Sequence, residues 1–180
     1  MRIIAGAYKG KRLASLDSKS NLIRPTSDMA REALFSILSG WPKGSFLDVF
    51  SGTGAVGIEA LSRGYSPVWC IENNKNSLAC IRANAKDTSL NILPMDAYKI
   101  KHGSLRDISV IFADPPYDKS VEMWGKLAST LSNYLSPDGV LVWECKQGTQ
   151  LPEIPGIATI QERIYGSSKF IFFERADNRE

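Results

Sequence analysis

Little in this sequence is suited to holding a metal ion. There is one histidine, His102, and its neighbours Lys101, Gly103 and Ser104 mark a loop, so it is assigned no role. The three cysteines, Cys70, Cys80 and Cys145, are odd in number and far apart, without metal-type spacing, and read as reduced packing residues. No apolar run approaches the roughly 20 residues that a membrane-spanning helix needs. Only a brief apolar patch separates Met1-Arg2 from Lys9, Lys11 and Arg12, so no secretory signal is expected. Internal repeats and low-complexity segments are missing as well. The expectation is a cytoplasmic protein, working as a monomer with neither membrane nor metal.

What is present suits one well-buried domain with room for an extension: 180 residues, 43% hydrophobic and 23% charged. The net charge of +3 is mild but unevenly spread. Residues 1 to 31 hold Arg2, Lys9, Lys11, Arg12, Lys19, Arg24 and Arg31 against Asp17 and Asp28, a local +5 that leaves −2 for the rest. A basic leading segment on a slightly acidic body favours a phosphate-bearing partner, with nucleic acid preferred over a merely solvated face.

Short strand candidates at 2 to 5 and 11 to 16 bracket Gly6 and Gly10, predicting a small hairpin that carries several of the cations. A helix follows from Ser27, with Asp28 in its first turn and Ala30, Ala33, Leu34, Ile37 and Leu38 as its apolar stripe; Gly40 and Pro42 stop it. Strand and helix then alternate. Strands are predicted over 45–50, 67–72, 90–95, 108–113 and 139–144, and helices over 53–63, 74–86 and 119–134. Such alternation implies parallel strands covered by helices. The tail departs from it, since 157–165 and 169–175 flank Gly166-Ser167-Ser168, a hairpin signal that implies an antiparallel end to the sheet. The division expected is an extension over 1–42 and an α/β domain over 43–180, its mostly parallel sheet having seven strands.

Two stretches carry chemistry. Between the first core strand and its helix, Gly52, Gly54 and Gly57 satisfy a nucleoside-cofactor fingerprint, and Glu72 ends the next strand twenty positions after Gly52, where a carboxylate can accept both ribose hydroxyls. A dinucleotide brings a pyrophosphate that wants positive potential at the helix start. Asp48, four residues before Gly52, favours S-adenosylmethionine instead, which has no phosphate and carries a sulfonium and an ammonium. Asp96, ending the third core strand, reads equally as lining the adenine side or as a turn cap.

The second stretch is Asp114-Pro115-Pro116-Tyr117, where an apolar strand ends in a carboxylate, two prolines and a ring. An exocyclic base amine must lose planarity to attack a methyl group, and acceptors for its protons help it do so. Ionised Asp114 only accepts, the Pro115 carbonyl adds a second acceptor, and neither proline has an N–H to compete. Tyr117 can stack on a base extruded from its helix or loop.

Beyond these local readings, the corner is similar to the Asp/Asn-Pro-Pro-aromatic motif of class I amino methyltransferases. Arg2-Ile3-Ile4-Ala5-Gly6 with Tyr8-Lys9-Gly10, Arg24-Pro25-Thr26-Ser27-Asp28 with Arg31-Glu32-Ala33-Leu34-Phe35, and the run from Gly57 to Gly64 resemble the RsmD family of 16S ribosomal RNA guanine-N2 methyltransferases. The resemblance implies a Rossmann-like class I methyltransferase sheet and a guanine amine of small-subunit RNA, or of its assembly intermediate, as acceptor. It also implies S-adenosylmethionine held by Arg24, Thr26, Asp48, Ser51, Gly52 and Gly54, with Glu72 and Asn73 at the ribose and Asp96 and Ala97 at the adenine. Asp114, Pro115, Pro116 and Tyr117 form the catalytic corner, and Arg2, Lys9, Lys11, Arg12 and Arg31 hold RNA phosphates. An N6-adenine methyltransferase of DNA or RNA could use the same corner, which does not separate the two bases. A nicotinamide-dependent oxidoreductase leaves Asp48 and the prolines without a purpose, and a non-catalytic ribosome-assembly factor would use only the basic hairpin.

Overall fold

The computed structural model describes residues 1–16, 28–101, 103 and 105–176. Its centre is a seven-stranded sheet ordered β3-β2-β1-β4-β5-β7-β6. The strands are β1 (Phe46–Val49), β2 (Val68–Glu72), β3 (Asn91–Pro94), β4 (Ile108–Ala113), β5 (Leu135–Lys146), β6 (Ile157–Tyr165) and β7 (Ser168–Arg175). β1 to β5 pair in parallel, whereas β7 runs antiparallel to both β5 and β6. This is the mostly parallel sheet with an antiparallel end that the alternation and the hairpin signal predict.

Among the described residues, four α-helices cover it: α1 (Asp28–Leu38), α2 (Ala55–Ser62), α3 (Lys75–Asn84) and α4 (Ser120–Ser132). Successive side chains of a strand face opposite sides, and the core divides accordingly. On one face Phe46, Val110, Phe112, Val142, Phe170 and Phe172 pack with Leu34, Phe35 and Leu38 of α1 and Val56 and Ala60 of α2. On the other, Leu47, Ile111, Leu141, Trp143 and Phe173 meet Trp124, Leu127, Ala128 and Leu131, the i, i+3, i+4, i+7 stripe of α4. Burying each such large side chain stabilises the fold by about 1.5–3 kcal/mol.

Element boundaries shift where local chemistry intervenes. α2 starts at Ala55 because Gly54 takes the left-handed conformation, φ 77°, and ends the preceding turn. Asn74 lies outside α3 and caps it, its side chain accepting from the N–H groups of Asn76 and Ser77 at 2.9 and 3.1 Å. β5 begins four residues earlier than the pattern suggests. Its pairing with β4 jumps from Ile108↔Leu135 to Val110↔Val140, so residues 135–138, left between the expected helix and strand, are taken into the strand with an irregularity.

The N-terminal hairpin is reduced to a single antiparallel bridge, Arg2↔Arg12. Ile3 N–H donates to Lys11 carbonyl and Gly10 N–H to Ile3 carbonyl, at 3.0 and 2.9 Å. Leu13 N–H also donates across it, to Met1 carbonyl at 3.1 Å, while four N–H groups of the segment turn to α2 instead. Ile4 and Ala5 donate to the Glu59 carboxylate at 2.8 and 3.1 Å, Ala7 to Ser62 carbonyl at 2.8 Å and Tyr8 to Ser62 Oγ at 2.9 Å. Gly6 makes this docking feasible, since a Cβ there would lie 1.7 Å from Ser62 O. Docking onto a helix thus replaces the expected pair of strands.

Candidate active site

β1 has β2 on one side and β4 on the other, so the chain leaves the middle of the sheet in opposite directions from these neighbours. The crevice at the carboxyl ends of such strands is where open α/β sheets bind ligands. Both stretches singled out by sequence open there. Asp114 N–H donates to Val49 carbonyl at 3.3 Å, tying the first residue of the proline corner to the last residue of β1.

The glycine loop is a chain of backbone constraints. Phe50, Gly52 and Gly54 all take positive φ, 65°, 55° and 77°. For glycine this is inexpensive. For Phe50 it marks stored strain of the kind that gathers at functional turns, and nothing in the sequence pattern singles that residue out. Ser51 stitches the loop down: its N–H donates to Ile71 carbonyl at 3.1 Å and its hydroxyl to Asp48 carbonyl at 2.7 Å. Gly57 closes the packing, because a Cβ there would lie 2.4 Å from Cys70 Sγ.

Glu72 stands at the end of β2 facing this loop. One carboxylate oxygen accepts Gly52 N–H at 2.9 Å and the other accepts the N–H groups of Asn73 and Asn74, each at 2.8 Å. Its orientation is therefore set by backbone on both sides. Asp96 caps the short 3-10 turn Ala97–Lys99, accepting Tyr98 N–H at 3.0 Å, while Ala97 is buried. Oδ1 of Asp96 thus acts as a turn cap.

Two expected site residues sit elsewhere than a ligand-facing surface. Asp48 is 1% exposed, and its carboxylate lies beneath the loop, accepting Gly57 N–H at 3.0 Å with Cys70 Sγ 3.7 Å away. Burial raises its pKa to about 7, opposed by the Gly57 hydrogen bond and reinforced by the negative charge of Glu72. Asp48 supports the loop from inside. Arg31, expected to hold an RNA phosphate, is fully buried. Its guanidinium donates to Arg2 carbonyl, pairs with Asp28 Oδ1 at 3.0 Å and faces Glu59 at 3.6 Å. Arg63 completes the cluster, its Nε 2.7 Å from Glu59 Oε1. A buried carboxylate needs such partners, so Arg31 is spent on docking the N-terminal segment. Arg2, Lys9 and Arg12 are exposed; Lys11 is half-buried and donates to Lys86 carbonyl at 2.8 Å. Arg24 and Thr26 lie outside the described residues.

At the corner, Asp114 is partly exposed, Pro115 buried and Pro116 exposed. Pro116 opens the 3-10 turn Tyr117–Lys119, with Lys119 N–H donating to its carbonyl at 3.0 Å. The Tyr117 hydroxyl reaches Glu144 Oε1 on β5 at 3.3 Å and Ser168 Oγ on β7 at 2.9 Å. Burial holds its pKa above the usual phenol range. Sequence reasoning missed both partners. Glu144 merely ended an apolar strand and Ser168 merely closed a hairpin turn.

A sheet of this order, with a glycine loop and an acidic proline corner meeting at its switch point, is that of a class I methyltransferase. Comparison with known proteins agrees. The Ribosomal RNA small subunit methyltransferase D of Escherichia coli K12 is 30% identical over 190 residues, covering 97% of this chain and 90% of its own. That of Haemophilus influenzae is 27% identical over 184 residues, covering 97% and 93%. The solved structure of a hypothetical protein of Thermus thermophilus superposes with a TM-score of 0.79 over 97% of this chain and 99% of that one; at 22% identity this likeness concerns the fold. The family model described as conserved hypothetical protein 95 matches residues 1–174, and the chain belongs to that family, the RsmD-type methyltransferases.

Proposed function

We propose that this protein transfers a methyl group from S-adenosylmethionine to the exocyclic N2 of a guanine in 16S ribosomal RNA, acting in the cytoplasm, as a monomer, on the small subunit or its assembly intermediate. The observation that carries this reading is the hydrogen bond from Asp114 N–H to Val49 carbonyl, which puts an amine-accepting corner beside a nucleoside-type glycine loop. The RNA class comes from relatives named as small-subunit ribosomal RNA methyltransferases.

The residues at the loop fit the methyl donor. Glycines at positive φ bring backbone rather than side chains to the crevice, and Glu72 is held as a hydroxyl acceptor at its edge. The loop from 48 to 57 has no basic residue, and the Glu72 carboxylate stands at its edge. A pyrophosphate would find no cation in this loop, whereas a cationic donor meets the Glu72 carboxylate. We assign Ser51, Gly52 and Gly54 to the methionine part, Glu72 and Asn73 to the ribose, and Asp96 and Ala97 to the adenine. We assign Arg24 and Thr26, which lie outside the described residues, to cofactor binding as well.

Bound there, S-adenosylmethionine would supply an electrophilic sulfonium methyl group, with a neutral thioether as leaving group. Asp114 and the Pro115 carbonyl accept the two amine hydrogens and draw the lone pair out of the ring plane. The proton released goes to Asp114 or to water. Tyr117 stacks on the extruded base. No covalent nucleophile is needed, so positioning and charge complementarity supply the rate. Arg2, Lys9 and Arg12 hold RNA phosphates, with residues 1–42 serving as the gripping extension of the catalytic domain over 43–180.

The test is to incubate the protein with labelled methyl donor and, separately, free 16S RNA, immature small subunits and DNA, then to digest and identify the product. N2-methylguanosine is expected; N6-methyladenosine would overturn the assignment of the base.

A further inference from the structure

The ring proposed to stack on the base is held at its far end by two residues that the catalytic corner does not contain. The Tyr117 hydroxyl lies 3.3 Å from Glu144 Oε1 and 2.9 Å from Ser168 Oγ. A carboxylate only accepts, so Tyr117 donates to Glu144, and its free lone pair leaves Ser168 to donate to Tyr117. The two anchors sit on different strands. Ser168 opens β7 opposite Lys146, and Glu144 faces Phe170 across the same ladder.

Glu144 is costly where it stands. It is 2% exposed and ends the run Val140-Leu141-Val142-Trp143, all of it fully buried. Burying a carboxylate among such neighbours is unfavourable unless it is engaged by donors. An apolar residue would suit the core better, so the carboxylate does something that packing does not require. One group it reaches is the tyrosine that follows Pro116.

We infer that Glu144 and Ser168 are positioning residues for base recognition, acting through Tyr117. They turn the aromatic ring from a side chain on a short exposed turn into a wall fixed at both ends, by the Pro116 turn and by the β5–β7 ladder. This gives the antiparallel hairpin a part in the active site. The inference rests on the proposed stacking of Tyr117 on the base.

The test is a double-mutant cycle on methylation kinetics, with Tyr117→Phe, Glu144→Leu, Ser168→Ala and the Tyr117→Phe/Glu144→Leu pair; leucine removes the acceptor that glutamine would keep. Each substrate is varied while the other saturates, and melting is followed by circular dichroism. Tyr117→Phe and Glu144→Leu should each lower kcat/KM for RNA by about tenfold, within the range of coupled neighbours. The pair should lose no more than either alone, with KM for S-adenosylmethionine and the melting temperature little changed. Ser168→Ala should give a smaller loss of the same kind. Wild-type rates in the single variants, additive losses in the pair, or equal losses in KM for both substrates together with lowered melting would overturn the inference. Failure of the wild type to methylate any nucleic acid would instead overturn the proposed function.

Discussion

Because Asp48 lies 1% exposed beneath the glycine loop, its neutral form is favoured in the folded protein, and its pKa is raised from 3.8 to about 7. The sign of the linkage follows. Below pH 4 the group is protonated in both folded and unfolded chains and costs nothing. Between pH 4 and 7 the unfolded chain releases the proton while the folded one retains it, so stability falls as pH rises through this window; above pH 7 the loss is constant. Asp48→Asn keeps an acceptor for Gly57 N–H and removes the titration. Urea unfolding at a series of pH values should therefore show the wild type losing about 4 kcal/mol relative to the variant between pH 4 and 8. A difference that stays flat with pH would mean that Asp48 is solvated.

Among the elements, α2 does two jobs. Its start is the glycine loop, and its Glu59 and Ser62 receive the N-terminal segment. Glu59 is fully buried with Arg31 and Arg63 against it and Ile4 and Ala5 donating to it, so the runs from Arg2 to Gly6, around Arg31 and from Gly57 to Gly64 are one cluster in space. Replacing one member of a buried ion cluster leaves its partner's charge uncompensated, at a cost of about 3–5 kcal/mol. Glu59→Gln should destabilise the fold by this order. Amide exchange should quicken at Ile4 and Ala5 well before it does in β1. Protection at these two amides that equals the wild type would show that the segment is held by other contacts.

Over the whole molecule, charge is divided between a leading segment of +5 and a remainder of −2. Among the described members of that segment, Arg2, Lys9 and Arg12 are exposed, whereas Arg31 is withdrawn into the core and Lys11 is tied to Lys86. If the exposed three each meet a phosphate, replacing them with glutamine should weaken RNA binding regardless of sequence. The slope of log affinity against log salt should fall by about 1 for each phosphate that is no longer neutralised. Filter binding over a salt series measures this, and an unchanged slope would make these residues an ordinary solvated face.

The order of strands and helices, the antiparallel tail, the glycine loop and the proline corner were legible in the chain itself. Periodicity, turn residues and glycine spacing act over a few neighbours, and the local chain carries them. Charge was legible too, but only as a count. Which cations face solvent was decided by packing: Arg31 looks like Arg2 in sequence and lies buried against Glu59, well beyond its own helix. Asp48 reads as a ligand for a cation, yet its strand points it under the loop toward Gly57. Tyr117 was found from its corner, while its anchors lie 27 and 51 residues further on. Those contacts exist only because β5 pairs in parallel with β4 and β7 folds back antiparallel beside it. Chemistry borne by adjacent residues was therefore set by the sequence alone. Burial, ionisation and the positioning of the ring depend on distances across the sheet, and tertiary structure determined them.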